Sequence, residues 1–143
     1  MAANKTFILH PFEVFESLTG KNQKEAVAIL KQNANFSLHT ILQLNFDPNV
    51  KLDLPEGAPP YTKDERATDV AASSLTKALG ILPHLLVGEK MARVKKETRF
   101  IGMLESLYFK DADAVILAKD KKLQTVYPEL TLELVREAFP GLV

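Results

Sequence analysis

Residues 90–122 carry the sequence KMARVKKETRFIGMLESLYFKDADAVILAKDKK, which has the longest apolar pattern of helical period in the chain. At about 100° per residue, six side chains fall on one stripe of a helix. They are Met91, Val94, Thr98, Ile101, Leu104 and Tyr108. A second apolar stripe begins later and consists of Phe100, Met103 and Leu107. This pattern predicts a central helix with exposed first turns and with last turns buried on two sides, so that Leu104 to Ala118 forms the hub of the core.

The start of this stretch is also the most basic part of the chain. Five cations lie in its first ten residues and two more at its end: Lys90, Arg93, Lys95, Lys96, Arg99, Lys121 and Lys122. The first five spread over a broad arc of the predicted helix, interrupted only by Glu97. Such a face is either solvated or a docking surface for an acidic protein or for phosphates. These seven residues are the candidate binding site.

Further short helices are predicted along the whole chain. Their approximate ranges are 10–18, 23–32, 38–46, 64–79, 91–108, 112–119 and 132–139. Asn22 with Glu25 resembles a capping box, and three other residues stand where N-caps are expected: Ser37, Asp111 and Thr131. We therefore predict an all-α fold, a compact single-domain bundle of about six or seven short helices over residues 1–143 with one Pro-rich extended loop. Its parts are a three-helix N-terminal part (1–46), the loop (47–63) and the C-terminal helices (64–143).

The loop, DPNVKLDLPEGAPPYTK, holds four of the eight prolines and cannot continue a helix. It is either a stiff connector pinned by Leu52, Leu54 and Tyr61 or a partner-binding loop. The C-terminal residues 139–143 leave a similar choice. Their apolar side chains either fold back on the core or enter a pocket of a partner.

Composition narrows the functional classes. The chain is 46% hydrophobic and 25% charged, and its 18 basic residues balance its 18 acidic ones, which argues against a general polyanion binder. The absence of cysteine excludes disulfides and thiol chemistry. There is no signal-peptide pattern and no apolar run of membrane-spanning length, so we expect a cytoplasmic protein with no membrane partner.

Catalytic or metal-binding patterns are equally lacking. The three histidines, His10, His39 and His84, are not paired at helical spacing, and no nucleophile, zinc or nucleotide motif occurs. We expect His39 to be semi-buried and hydrogen-bonded, and His10 and His84 to have structural roles beside their prolines. Asp111-Ala112-Asp113 suits a helix N-terminus better than a metal site. The sequence therefore predicts no enzyme activity, no cofactor and no metal.

Three segments resemble a known family: KLDLPEGAPPY, FIGMLESL…DADAVILAKDKKL and the ending EAFPGL. They are similar to an uncharacterised family of small proteins from T4-like tailed phages, especially cyanophages, with similarity from about Ala26 to Val143. The chain departs from that family at Tyr108-Phe109, where a His-Pro pair often stands. The resemblance implies a phage origin and action in the cytoplasm of an infected bacterium, and it brings no assigned activity.

The expected function follows from the absence of catalytic and metal-binding motifs and from the presence of the basic cluster. We expect a non-enzymatic adaptor or regulator that binds a host or phage protein. Two alternatives remain open: a weak nucleic-acid-binding protein that uses the basic cluster, and a virion or assembly component.

Overall fold

The computed structural model describes residues 9–62 and 71–143, with side chains of the second range from residue 75 onward. The described residues form eight α-helices and a short 3₁₀ helix. They are α1 (Pro11–Glu16), α2 (Gln23–Gln32), α3 (Phe36–Phe46), α4 (Ala71–Leu79), the 3₁₀ helix (Leu82–Leu85), α5 (Arg93–Glu105), α6 (Phe109–Lys119), α7 (Leu123–Val126) and α8 (Leu132–Ala138). Extended pairing in the described residues is limited to one isolated antiparallel bridge between Leu52 and Leu86. The predicted all-α class is confirmed. The predicted start of α4 near Asp64 lies outside the described residues.

Helix α6 occupies the centre of the bundle. It packs against α1, α3, α5 and α7, while α2 packs against α8. Several side chains on α6 and just before it are completely buried: Leu104, Leu107, Ala112, Val115 and Ala118. The prediction that residues 104–118 form the hub of the core is therefore confirmed. The 3₁₀ helix buries Leu82 and Leu85 against the same core.

Local capping signals locate two helix starts correctly and two incorrectly. The Asn22 and Glu25 side chains each accept a hydrogen bond from the other's backbone N–H, and Thr131 caps α8. Asn35, not Ser37, caps α3 by accepting from the Leu38 N–H at 2.8 Å. The predicted cap at Asp111 is also wrong, because α6 already begins at Phe109.

Helix α5 buries the second predicted apolar stripe, whereas the first predicted stripe is buried only towards its end. Val94 is 75% exposed and Thr98 is exposed, but Leu104 of the same stripe is completely buried. The buried residues are Lys96, Phe100, Met103 and Leu104. The helix also ends at Glu105, and Tyr108 belongs to the start of α6. The burial of Lys96 was not predicted, because the apolar part of a lysine side chain can extend an apolar stripe and the sequence alone does not show that it does.

The C-terminal residues fold back on the core. Leu142 and Val143 are half-buried against it, and the Gln43 side-chain amide donates to the Leu142 carbonyl at 3.3 Å. This packing agrees with the interpretation of the tail as part of the fold.

Gly102 offers a simple test of the α5 assignment. It lies inside the helix, is exposed, and a Cβ added to it would meet no atom within 4 Å. Gly102→Ala should raise the free energy of unfolding by about 0.5–1 kcal/mol, because alanine loses less backbone entropy on helix formation. Urea denaturation measures the gain. In Gly20→Ala the same change falls at a φ of +76° and should destabilise the protein. A destabilised Gly102→Ala variant would contradict the assignment.

Candidate functional site

The proline-rich loop is an ordered strap that lies along the ends of helices. We call residues 47–62 the strap. Its first half is held at the bridge between Leu52 and Leu86: the Asp53 N–H donates to the Leu85 carbonyl at 2.8 Å, and the Val87 N–H donates to the Lys51 carbonyl at 3.0 Å. The predicted anchors also contact the core. Leu52 is buried, and Leu54 and Tyr61 are half-buried against the same apolar cluster. Burial, and after it the negative charge of Asp113, raises the pKa of Tyr61.

Lys96 is not part of an exposed basic face. Its side chain is 1% exposed, and its ammonium donates to Asp53 Oδ2 and to the Leu86 carbonyl, both at 3.0 Å. Arg93 approaches the same carboxylate more loosely, with its Nε 3.6 Å from Asp53 Oδ1. The expectation that Lys96 is exposed is wrong. The long apolar stem reaches the core, and the charge is neutralised by the strap.

Lys121 also binds the strap. It follows the end of α6 with a φ of +61°, a left-handed conformation that glycine usually supplies. The Lys121 N–H donates to the Ala118 carbonyl and the Lys122 N–H to the Leu117 carbonyl, the pattern of a Schellman C-cap. The Lys121 ammonium donates to three carbonyls, those of Leu44, Asp47 and Val50, at 2.8–2.9 Å. Burial lowers the pKa of this ammonium. A glycine would relieve the backbone but could not make these three bonds.

The end of α6 holds the second half of the strap. The Lys119 ammonium donates to the Pro55 carbonyl at 2.8 Å and to Asp120, while the other carboxylate oxygen of Asp120 accepts from the Gly57 N–H at 2.9 Å. Lys122 pairs with Glu56 at 2.6 Å on the surface, and this pairing raises the pKa of Lys122. Of the seven predicted binding cations, Lys96, Lys121 and Lys122 therefore contact the strap closely, and Arg93 contacts it more loosely.

Lys121→Met tests whether the strap depends on this lysine. We expect the free energy of unfolding to fall by about 2 kcal/mol, because three shielded carbonyls lose a charged donor. Chemical denaturation measures the change. Lys122→Met is the matched control: it removes the neighbouring lysine, which is 51% exposed and pairs with Glu56 on the surface, and it should leave the free energy of unfolding nearly unchanged. Equal effects of the two substitutions would show that Lys121 does not hold the strap.

The remaining predicted cations lie at the surface around the start of α5. We call Lys90, Arg93, Lys95 and Arg99 the basic ridge. Within the described part of the chain, three of them form no ion pair or hydrogen bond through their side chains: Lys90, Lys95 and Arg99. Two large apolar side chains are exposed in the same part of the sequence, Val87 (59%) and Val94 (75%). The surface thus combines unneutralised positive charge with exposed apolar area.

A groove of about 350 Å³ lies between the strap and the other flank of α5. Strap residues 54–60 form one wall, and the opposite side is formed by Glu97, Phe100, Ile101 and Lys119. The Lys119 ammonium is already bonded to the strap. The Glu97 side chain forms no ion pair or hydrogen bond with any residue that the structure describes. The seven cations predicted to bind a partner include no groove residue, because the groove exists only once the strap has docked.

A buried histidine–aspartate pair joins α1 to α6. His10 Nδ1 lies 2.8 and 3.0 Å from the two carboxylate oxygens of Asp111, which are 101 residues away in the chain. Burial raises the pKa of Asp111, His10 opposes that rise, and Glu13 adds to it. Among the described residues the His10 ring makes no further hydrogen bond, so this arrangement joins two helices and places no nucleophile beside a base. The structural interpretation of His10 is confirmed.

The other histidines lie apart from these sites. The His39 ring packs edge-on against Phe139 with centroids 4.7 Å apart, and its shielded Nε2 has no hydrogen-bond partner among the described residues. His39 is thus semi-buried as predicted, but the predicted hydrogen bond is absent at Nε2. His84 is exposed. Residues 9–62 and 75–143 contain no group of three acidic, histidine or cysteine side chains able to hold a metal ion.

The fold and the site define a small all-α protein whose proline-rich strap is fastened by lysines to its central helices. The chain belongs to a family of unknown function, DUF6433, whose model matches residues 15–125. The match includes the strap, the groove and the basic ridge, whereas His10 and α8 lie outside it. No curated protein and no solved structure matches the chain. None of the described helices has the length and apolar character needed to cross a membrane. Membership of an uncharacterised family confirms the coarser part of the resemblance, and the phage origin stays a prediction.

Proposed function

We propose that this protein is a non-enzymatic adaptor or regulator that binds a protein partner through the basic ridge. The observation that carries the proposal is the unneutralised charge of Lys90, Lys95 and Arg99, in the same short stretch of sequence as the exposed Val94. The other cations of the cluster hold the strap, so the ridge is the part that remains available. A partner surface with carboxylates around an apolar contact would complement it.

A protein surface suits the ridge better than nucleic acid does. Phosphate binding needs several cations that act together, and Lys96, Lys121 and Lys122 are engaged elsewhere. The net charge of zero gives no long-range attraction for a polyanion. Val94 at 75% exposure would also gain nothing from a phosphate, whereas it would be buried against an apolar side chain of a protein.

The proposal includes a biological setting, which is a phage infection of a bacterial cell. The resemblance of the segments around residues 51–61 and 100–123 to proteins of tailed phages supports a role during infection, in the cytoplasm of the bacterial host. Binding to host or phage machinery is the corresponding role for a small protein without a recognisable active site.

Affinity capture from phage-infected bacterial cells, quantified by mass spectrometry, tests this proposal. The ridge variant Lys95→Glu/Arg99→Glu reverses two unpaired charges on α5. The control Lys24→Glu/Lys31→Glu also reverses two exposed charges on one helix, α2, where they are seven residues apart and far from the ridge in sequence. We expect a partner to be retained by the wild type and the control and to be lost with the ridge variant, with a weakening of about tenfold or more in Kd when the purified partner is titrated.

The same experiment has outcomes that overturn the proposal. If every captured protein is retained equally by the ridge variant and the control, the ridge is not a docking surface. A second measurement addresses the nucleic-acid alternative. Single-stranded DNA, duplex DNA and RNA are titrated at about 50 mM salt. Micromolar binding that is lost in the ridge variant would replace the protein partner with nucleic acid.

A further inference from the structure

We propose that the groove between the strap and α5 is a second binding site, which takes an extended peptide segment with an apolar and a basic side chain. The groove lies on the other flank of the helix from the ridge. At about 100° per residue, Lys95 and Arg99 are each about 160° away from Glu97 around the α5 axis. The inference therefore goes beyond the proposed function and does not depend on it.

The shape and lining of the groove fit a short peptide. Its volume of about 350 Å³ is at the lower end of the range for ligand sites, which is about 300–1,000 Å³. The lining is mainly apolar, with Leu54, Pro59, Phe100 and Ile101 on facing walls. An apolar side chain of a peptide would be removed from water between these walls.

The groove is held in its open form by internal bonds. Near the middle of the strap, Lys96 fastens Asp53 and Lys119 fastens Pro55. Asp120 accepts from the Gly57 N–H directly beside the groove. A wall fixed in this way does not have to be ordered when a peptide binds, and this preorganisation lowers the entropic cost of association.

The charges in the lining select a basic peptide. Glu97 brings a carboxylate that has no partner among the described residues, while the ammonium of Lys119 is already bonded to Pro55 and Asp120. The Glu56 carboxylate already forms an ion pair with Lys122. An arginine or lysine side chain would therefore meet Glu97, and an acidic side chain would find no free cation in the lining.

The strap also offers backbone groups to an extended chain. Within the described residues, the Ala58 N–H and the Glu56 carbonyl take part in no hydrogen bond, and both residues line the groove. A peptide that runs along the strap in an extended conformation can pair with such groups, as in other cases of strand-like peptide recognition. The prolines at 55, 59 and 60 limit the number of donors, so the side chains supply most of the selectivity.

Titration of the ¹⁵N-labelled protein with three capped tripeptides tests the site by NMR. The probes are acetyl-Leu-Arg-Leu-amide, acetyl-Leu-Gln-Leu-amide and acetyl-Leu-Glu-Leu-amide. We expect the arginine peptide to shift the amides of Gly57, Ala58, Glu97 and Ile101 with a Kd of about 1 mM, as befits a short fragment. The glutamine peptide should bind about threefold to tenfold more weakly and the glutamate peptide weakest of all.

Variants separate the charge of Glu97 from general effects. Glu97→Gln should reduce binding of the arginine peptide to the level of the glutamine peptide, whereas Glu133→Gln, an exposed change on α8, should leave it unaltered. The ridge variant Lys95→Glu/Arg99→Glu should retain peptide binding, so that failure here and failure of the ridge proposal remain distinguishable. The proposal is overturned if the arginine and glutamate peptides bind alike, if the shifts lie outside the groove, or if no peptide causes shifts at about 10 mM.

Discussion

Replacing His10 with alanine should lower the free energy of unfolding by about 3–5 kcal/mol at neutral pH. The Asp111 side chain is completely shielded from solvent, and His10 Nδ1 at 2.8 Å is its hydrogen-bond partner. Removing His10 leaves a carboxylate that must either remain charged without a partner or take up a proton. Chemical denaturation measures the loss. His84→Ala is the matched control, because His84 is exposed, and it should leave stability unchanged.

A second substitution shows whether the loss comes from the orphaned charge. Asp111→Asn keeps a polar group of similar shape next to His10 but removes the negative charge. In the His10→Ala background, Asp111→Asn should therefore recover part of the lost stability. If the double variant loses as much free energy of unfolding as the two single variants together, this interpretation is contradicted, since substitutions of residues in contact are expected not to be additive.

The His10→Ala deficit should also depend on pH. Burial raises the pKa of Asp111, and without His10 the opposing influence is gone, so the folded-state pKa rises further above the ordinary value of 3.8. A carboxyl with a raised folded-state pKa destabilises the fold above that pKa, and the penalty disappears as pH falls to the unfolded-state pKa. The difference between wild type and His10→Ala should therefore shrink as pH is lowered from neutral towards about 4. A deficit that is constant over this window would contradict the mechanism.

Local signals explain which parts of the fold could be predicted. The capping box at Asn22 and Glu25 and the cap at Thr131 depend on residues three positions apart, and the sequence displays such pairs directly. The His10–Asp111 pair is different. Its partners are 101 residues apart, and each residue alone has an ordinary explanation, His10 beside a proline and Asp111 near a helix start. Nothing local indicates that the two meet in the core.

The candidate site could be predicted only in part, because its contacts also join residues that are far apart in the chain. The sequence indicates which residues are positively charged but not which of them will find an acceptor after folding. Lys121 bonds to carbonyls 71 to 77 residues away, and Lys96 to a carboxylate 43 residues away. The strap supplies the Asp53 carboxylate for Lys96 and two of the three carbonyls for Lys121, and the third carbonyl, that of Leu44, belongs to α3. The number of cations in residues 90–122 is therefore larger than the number that remains free at the surface. The sequence also could not decide whether the loop is a connector or a binding element, because that depends on its contacts in the fold.

Asp53→Ala should have the second large effect, a loss of about 3 kcal/mol in the free energy of unfolding. The Lys96 ammonium is 1% exposed and would keep only the Leu86 carbonyl as a partner. A buried cation with one neutral acceptor is costly, and the strap would lose its strongest contact with α5. Arg93→Met serves as the control, because Arg93 is 58% exposed and contacts the same carboxylate at 3.6 Å. It should change stability little.

The double variant Asp53→Ala/Lys96→Met separates the buried charge from the attachment of the strap. Methionine keeps much of the apolar stem of Lys96 and removes the ammonium, so the double variant should recover about half of the stability lost in Asp53→Ala. The strap contact itself is not restored. NMR signals of Gly57 and Ala58 should therefore remain perturbed in both variants, and the groove with them, whereas Arg93→Met should leave these signals in place. If Asp53→Ala costs no more than Arg93→Met, the Lys96–Asp53 contact does not fasten the strap, and the groove depends on the other strap contacts, those with Leu85, Lys119, Asp120 and Lys121.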